Sequence, residues 1–209
     1  MSKQTLIQRH TASERLNHWI VAITFVLAGL SGLNFFHPLF FWLTNLFGGG
    51  TWARILHPFF GVTMSFFFLI WVARVWKDNR ITAVDWQWGK HMGEILRNRT
   101  ENLPPLGKYN LGQKLLTRTL LLAVLLLLVS GILIWQPWFA PEFSVVLRRY
   151  AVVVHAFSAF VALTCFIVHV YAAYWTRGSI RAMTRGTVTA TWARHHFAGW
   201  YKEMEGKKQ

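Results

Sequence analysis

Val152 to Ala173 reads VVVHAFSAFVALTCFIVHVYAA, a stretch suited to oil that nevertheless carries two histidines. Between Arg149 and Arg177 there is no Asp, Glu, Lys or Arg, and His155 and His169 alone interrupt the apolar and aromatic run. About 20 apolar residues suffice to cross ~30 Å of hydrocarbon as a helix, so the segment reads as a membrane span. An ionisable ring at membrane depth is costly unless something pairs with it.

Working outward, three more spans of this kind are found. They cover about 16–36, 57–76 and 115–135, with the last at about 150–175, and Trp or Tyr marks many of their ends as an aromatic belt does. Each is solidly apolar, without the alternation of a barrel strand, so only helices fit. The fold class is all-α: one polytopic membrane domain over 1–209, a four-helix bundle with a loop at 77–114 and an amphipathic tail at 177–209. Composition agrees, with 54% hydrophobic residues, 14% charged residues, 12 Trp and 17 Phe. The net charge of +14 does not indicate nucleic acid, because the basic residues sit between apolar spans instead of forming one stripe. The single cysteine, Cys165, excludes an internal disulfide or a multi-cysteine metal cluster. The first apolar segment is too long for a cleavable signal peptide and lacks a small-residue cleavage site, so it is expected to remain as an anchor.

Thr11-Ala12-Ser13-Glu14 matches a capping box, which starts the first helix just before the membrane and puts His18 in its second turn. Of the 22 Lys and Arg, only Arg54, Arg148 and Arg149 fall in the first and third connections. The rest mark the N-terminal tail, the 77–114 loop, the C-terminal tail and the adjoining span ends. Positive residues stay inside, so both termini are expected in the cytoplasm. A faint internal repeat is also present. Ser31-Gly32-Leu33 before Pro38 resembles Ser130-Gly131-Ile132 before Pro137, and a histidine, His57 or His155, follows each. Two similar helix hairpins would give this pattern; so would convergence on a common apolar vocabulary.

Topology sorts the nine histidines. His10, His37, His91, His195 and His196 read as solvated or interfacial. His18, His57, His155 and His169 lie in the spans or at their mouths. Fourteen residues separate His155 from His169, which places them on one helix face to within about 40° and ~21 Å apart. Two nitrogens on opposite sides of one iron would be only ~4 Å apart, so the two serve different sites. Depth pairs His57 with His155 near the outer surface and His18 with His169 near the cytoplasm. Two facing imidazoles with no carboxylate or thiolate are what a bis-histidine haem needs. Gly29, Gly32, Gly61 and Gly131, with Ser31 and Ser130, offer small surfaces for a macrocycle or for a neighbouring helix. A zinc site wants three or four protein ligands, and only two meet at each level.

The motifs ERLNHWI around His18, WARILHPFFG around His57, GKYNLGQK before the third span, RRYAVVVHAF around His155, IVHVYAAYWTRGSIRAMTRGTVT around His169 and WARHHFAGWYKEM in the tail resemble those of a known family over nearly the whole chain. That family is the cytochrome b, or gamma, subunit of membrane-bound bacterial formate dehydrogenases. The resemblance implies two haems b, ligated by His57 and His155 outside and by His18 and His169 inside. It implies a catalytic alpha subunit that oxidises formate at a molybdenum or tungsten pterin, an iron–sulfur beta subunit that feeds the outer haem, and menaquinone reduced near the cytoplasmic surface. Asn110 and Gln113 match positions near the family's quinone site, and their amides suit a quinone carbonyl without adding charge. A trimer of three-subunit units in the bacterial inner membrane, working as a redox loop that charges it, is implied as well. Two other readings remain: the cytochrome of a hydrogenase or another reductase, or a non-redox haem or metal transporter or sensor. Trp192, Trp200 and Tyr201 beside Arg194 and Lys202 read as a tail lying on anionic lipid.

Overall fold

The computed structural model describes residues 5–97 and 103–206. Residues 98–102 of the 77–114 loop and 207–209 of the tail, with residues 1–4, lie outside the described residues. A short strand, β1 (Leu6–Gln8), precedes α1 (Ala12–Phe36), and a 3₁₀ stretch (Pro38–Phe47) leads into α2 (Gly50–Val75). Two short helices follow, α3 (Ala83–Lys90) and α4 (Met92–Leu96), then the long α5 (Leu111–Ile134) and α6 (Val145–Trp175). The chain continues through α7 (Ser179–Thr184), β2 (Thr187–Thr189), α8 (Ala190–His196) and α9 (Ala198–Gly206). Helices α1, α2, α5 and α6 are long and apolar enough to cross a membrane.

These four helices start earlier than the apolar stretches, because backbone bonding and caps, not hydropathy, decide where a helix begins. For α1 the capping box forms as expected: the Thr11 amide donates to Glu14 Oε2 at 2.8 Å and the Glu14 amide to Thr11 Oγ1 at 3.2 Å.

Backbone packing divides the chain into two compact units. One contains Leu16–Val72 and Thr119–Val170. Its dry centre is small: Met64, Phe68, Val72 and Val124, with Val21, Phe25, Leu120 and Leu121 against them. Only 11% to 22% of the most apolar window of each long helix is buried within the chain, so lipid, a bound cofactor or other chains must cover the remainder. Several hydroxyls here turn back on their own helices, while Asn17 on α1 donates across to the Phe67 carbonyl on α2 at 2.9 Å. The hydroxyls of Thr24, Ser31, Ser65, Ser130 and Thr164 each donate to the carbonyl four residues earlier, which spares them an unmet hydrogen bond in hydrocarbon.

The other unit gathers the residues up to Arg15, Ala73–Arg118 and those from Tyr171 on. β1 and β2 pair antiparallel, Ile7 opposite Val188. Around them Trp88, Leu106, Leu111, Phe197, Trp200 and Tyr201 close an apolar core. Arg9 is buried within it, its guanidinium 4.1 Å from the ring centre of Phe197, 4.9 Å from that of Trp200 and 5.2 Å from that of Trp192. One of its nitrogens also donates to the Lys108 carbonyl at 2.5 Å. Burial pushes the Arg9 pKa down to about 10, which still leaves it charged at neutral pH, and the aromatic faces compensate part of that desolvation. This corrects the reading of the tail aromatics. Trp200 and Tyr201 are buried against protein rather than laid on lipid, because β1 and Arg9, remote in sequence, cover the face an isolated amphipathic tail would offer to a membrane.

Candidate functional site

Both histidine pairs expected from depth are brought together. The rings of His57 on α2 and His155 on α6 have centres 6.2 Å apart. Those of His18 on α1 and His169 on α6 are 6.3 Å apart. The first three are half-buried and His169 is exposed on the chain.

Two imidazoles that each gave one nitrogen to the same metal at about 2 Å would have ring centres on the order of 6 Å apart. Both pairs match that spacing. Among the described residues no three His, Cys, Asp or Glu gather as a metal cluster, so a two-ligand cofactor fits better than zinc.

The His57 and His155 rings are held by hydroxyls from the preceding helix of each hairpin. Ser31 Oγ lies 3.0 Å from His57 Nδ1, and Ser130 Oγ lies 3.0 Å from His155 Nδ1. Each serine spends its single proton on its own helix, Ser31 on the Leu27 carbonyl at 2.7 Å and Ser130 on the Leu126 carbonyl at 2.5 Å. The oxygen is therefore left to accept from Nδ1–H, which fixes the tautomer with a bare Nε2, the form that binds iron.

Glycine follows serine in each hairpin for a steric reason. A Cβ at Gly32 would stand 3.1 Å from His57 Cε1, and one at Gly131 would stand 3.3 Å from His155 Cε1. Gly29 instead admits a neighbouring helix, with Leu163 at 3.3 Å from its would-be Cβ. The faint repeat thus has a physical content: α1–α2 and α5–α6 each bring Ser, Gly and His together in the same way.

The His18–His169 pair is held differently. His18 stands edge-on to Trp19 and Trp71, each with ring centres 5.6 Å away. Its Nδ1 is buried with no hydrogen-bond partner among the described residues. A polar atom in that state calls for a water or another group from outside the chain.

Asn110 and Gln113 cap α5 reciprocally. The Gln113 amide donates to Asn110 Oδ1 at 2.9 Å, and the Asn110 amide donates to Gln113 Oε1 at 3.1 Å. The cap occupies both side-chain oxygens and leaves both NH2 groups as donors. One residue further, Lys114 Nζ bonds Asp85 at 2.8 and 2.7 Å and the Arg80 carbonyl at 3.0 Å. This ion pair is almost fully buried, Asp85 at 1% exposure, and pins the start of α5 to α3.

The profile of the prokaryotic cytochrome b561 family matches residues 9–186, a segment that contains all four histidines. The chain belongs to the prokaryotic cytochrome b561 family. Within that family it groups with formate dehydrogenase cytochrome b556 subunits. It is 44% identical over 204 residues to the cytochrome b556(fdo) subunit of Escherichia coli K12, covering 98% of this chain and 96% of that one. The Haemophilus influenzae cytochrome b556 subunit is 40% identical, over 97% of this chain and 85% of its own. The nitrate-inducible cytochrome b556(Fdn) subunit of Escherichia coli K12 is 37% identical, with 98% and 94% covered.

As a cytochrome b561 relative with four apolar helices, the chain is a multi-pass protein of the bacterial inner membrane, and its family implies haem b. Like its relatives it is a cytochrome subunit and not a catalytic one. Reading the cytochrome's sequence alone assigned Ser31 and Ser130 no more than small size. The recurring Ser-Gly followed by histidine was the available signal, but which ring atom a hydroxyl meets depends on how two helices are juxtaposed.

Proposed function

We propose that this cytochrome is the electron-conducting membrane subunit of a formate dehydrogenase, joining an extracytoplasmic iron–sulfur subunit to menaquinone reduced on the cytoplasmic side. The observation that carries the reading is the pair of 6.2 and 6.3 Å imidazole spacings at two levels of one four-helix array. His57 and His155 would hold an outer haem b, and His18 and His169 an inner one. When bound, haem b supplies a one-electron iron couple at each level. The protein's part is to present imidazole nitrogens, with Nε2 left bare at His57 and His155 by the serine contacts, to keep water away with Phe35, Trp19 and Trp71 around the rings, and to place the two levels ~21 Å apart along α6.

Asn110 and Gln113 would donate their NH2 groups to a quinone carbonyl, held in place by the reciprocal cap. Reduction of menaquinone takes up two protons with its two electrons. Cytoplasmic termini, as the Lys and Arg distribution favours, would let that uptake occur inside while a molybdenum or tungsten subunit oxidises formate outside. Assembly as a trimer of three-subunit units belongs to the same reading.

The test is haem content in the purified complex. Two haems b per chain are expected, with H57A and H155A each removing the outer one and H18A and H169A each removing the inner one. One porphyrin per chain, or losses that ignore this two-and-two pattern, would overturn the assignment.

A further inference from the structure

The charges of Arg148 and Arg149 run against the trend of the chain, since most of its 22 Lys and Arg lie at the other end of the spans. Together with Ile134, Gln136, Val145 and Val152 they line a pocket of about 300 Å³. The Nε of Arg148, one of the lining residues, is buried without a hydrogen-bond partner among the described residues. Both arginines lie in the first two turns of α6, where the helix dipole also favours an anion. Two guanidinium groups, an amide and an apolar wall form a site for paired anionic oxygens.

Its position relative to the outer imidazoles is the second observation. Arg148 precedes His155 by seven residues, which puts it within about 20° of the same helix face and about 10.5 Å further toward the start of α6. Ile134 lies three residues beyond Gly131, the glycine against which the His155 ring packs. The pocket therefore begins about one turn from the His57–His155 pair, on the side facing the start of α6.

We infer that this pocket seats the propionate carboxylates of the outer haem, with Arg148 as their principal counter-ion and Arg149 and Gln136 completing the site. The inference rests on the proposed bis-histidine reading. Carboxylates at the rim of a hydrocarbon layer are costly unless paired. The arginine fork matches a carboxylate through two parallel hydrogen bonds, and a lysine does not. A phospholipid headgroup offers the same anionic oxygens, but it has no reason to share a helix face with His155 two turns away.

The test uses the complex purified from native membranes, with R148Q and R148K. Haem per chain, a potentiometric titration and bound lipid phosphorus are read together. R148Q is expected to shift one of the two haem couples to more negative potential, because loss of a nearby positive charge favours ferric iron. It should also speed release of that haem severalfold, with the other couple unmoved, and R148K should restore most of the potential but not the retention. Two haems whose couples and retention R148Q leaves unchanged would overturn the inference, and loss of lipid phosphorus in that variant would assign the pocket to a headgroup instead. If R148Q does not accumulate, the release rate in R148K against wild type decides in the same way. A wild-type chain without two haems would sink the proposed function itself, a result distinct from either.

Discussion

Ser130 Oγ sits 3.0 Å from Nδ1 of His155, one helix back along the same hairpin, and Ser31 repeats the contact with His57 at the same distance. A hydroxyl that accepts from Nδ1–H makes the imidazole a more basic ligand and holds its plane. In S31A or S130A the ring loses that acceptor. Haem retention at the outer level should fall about 10–100-fold, as for other losses of a ligand's hydrogen-bond partner, and the outer couple should move to more positive potential. Haem dissociation kinetics and potentiometry check both effects; an unchanged outer couple would remove the serines from the site.

Gly32 and Gly131 are expected to be as sensitive as the serines, for steric reasons. With 3.1 and 3.3 Å between a would-be Cβ and the histidine Cε1, alanine forces the ring to shift by a few tenths of an ångström. G32V and G131V add two methyl groups in the same place and should abolish outer haem binding while leaving the inner one. Absorbance per chain after haem-replete expression is the measurement, with H57A as the reference for complete loss.

For the quinone, N110D separates capping from donation. The aspartate keeps an oxygen for the Gln113 amide and suits a helix start, but it lacks the NH2 that a quinone carbonyl needs. Thermal stability should stay near wild type, whereas quinone-dependent reoxidation of the reduced complex should slow at least tenfold. A normal rate would confine Asn110 to its cap.

The Lys114–Asp85 pair predicts a stability defect and a pH dependence. K114M leaves a buried carboxylate unpaired, which costs about 3–5 kcal/mol, while the double change D85N with K114M should recover most of the loss. Burial alone would raise the Asp85 pKa, but the hydrogen bond from Lys114, those from Thr82 and the ammonium charge hold it below the usual carboxylate range. Folding therefore favours the ionised form. Its contribution is complete above the unfolded value of about 3.9 and is lost as pH falls through the lower folded value. Thermal midpoints of wild type and D85N in detergent, followed from neutral pH downward, should converge in acid.

Hydropathy, charge and histidine spacing made the four helices and the two histidine pairs legible in advance. Each rests on a local rule: helix rise, side-chain polarity and the cost of a buried ionisable ring. The capping box of α1 was local as well. The Trp200 and Tyr201 environment was not legible, because an amphipathic face declares only that something apolar covers it. Lipid and Arg9, the residue just after β1, satisfy that demand equally well in sequence.

By itself, then, the amino-acid sequence determined that this chain crosses the membrane with four helices and that His57 and His155 share one level while His18 and His169 share the other. Rise per residue and chain direction are properties of the polymer and need no knowledge of neighbours. Only the tertiary structure decided which atoms meet: Ser31 and Ser130 on the imidazole nitrogens, Gly32 and Gly131 beneath the rings, Lys114 on Asp85. Contacts at 3 Å depend on the rotation and separation of packed helices, and those follow from many side chains fitting together at once, which no single stretch of sequence encodes.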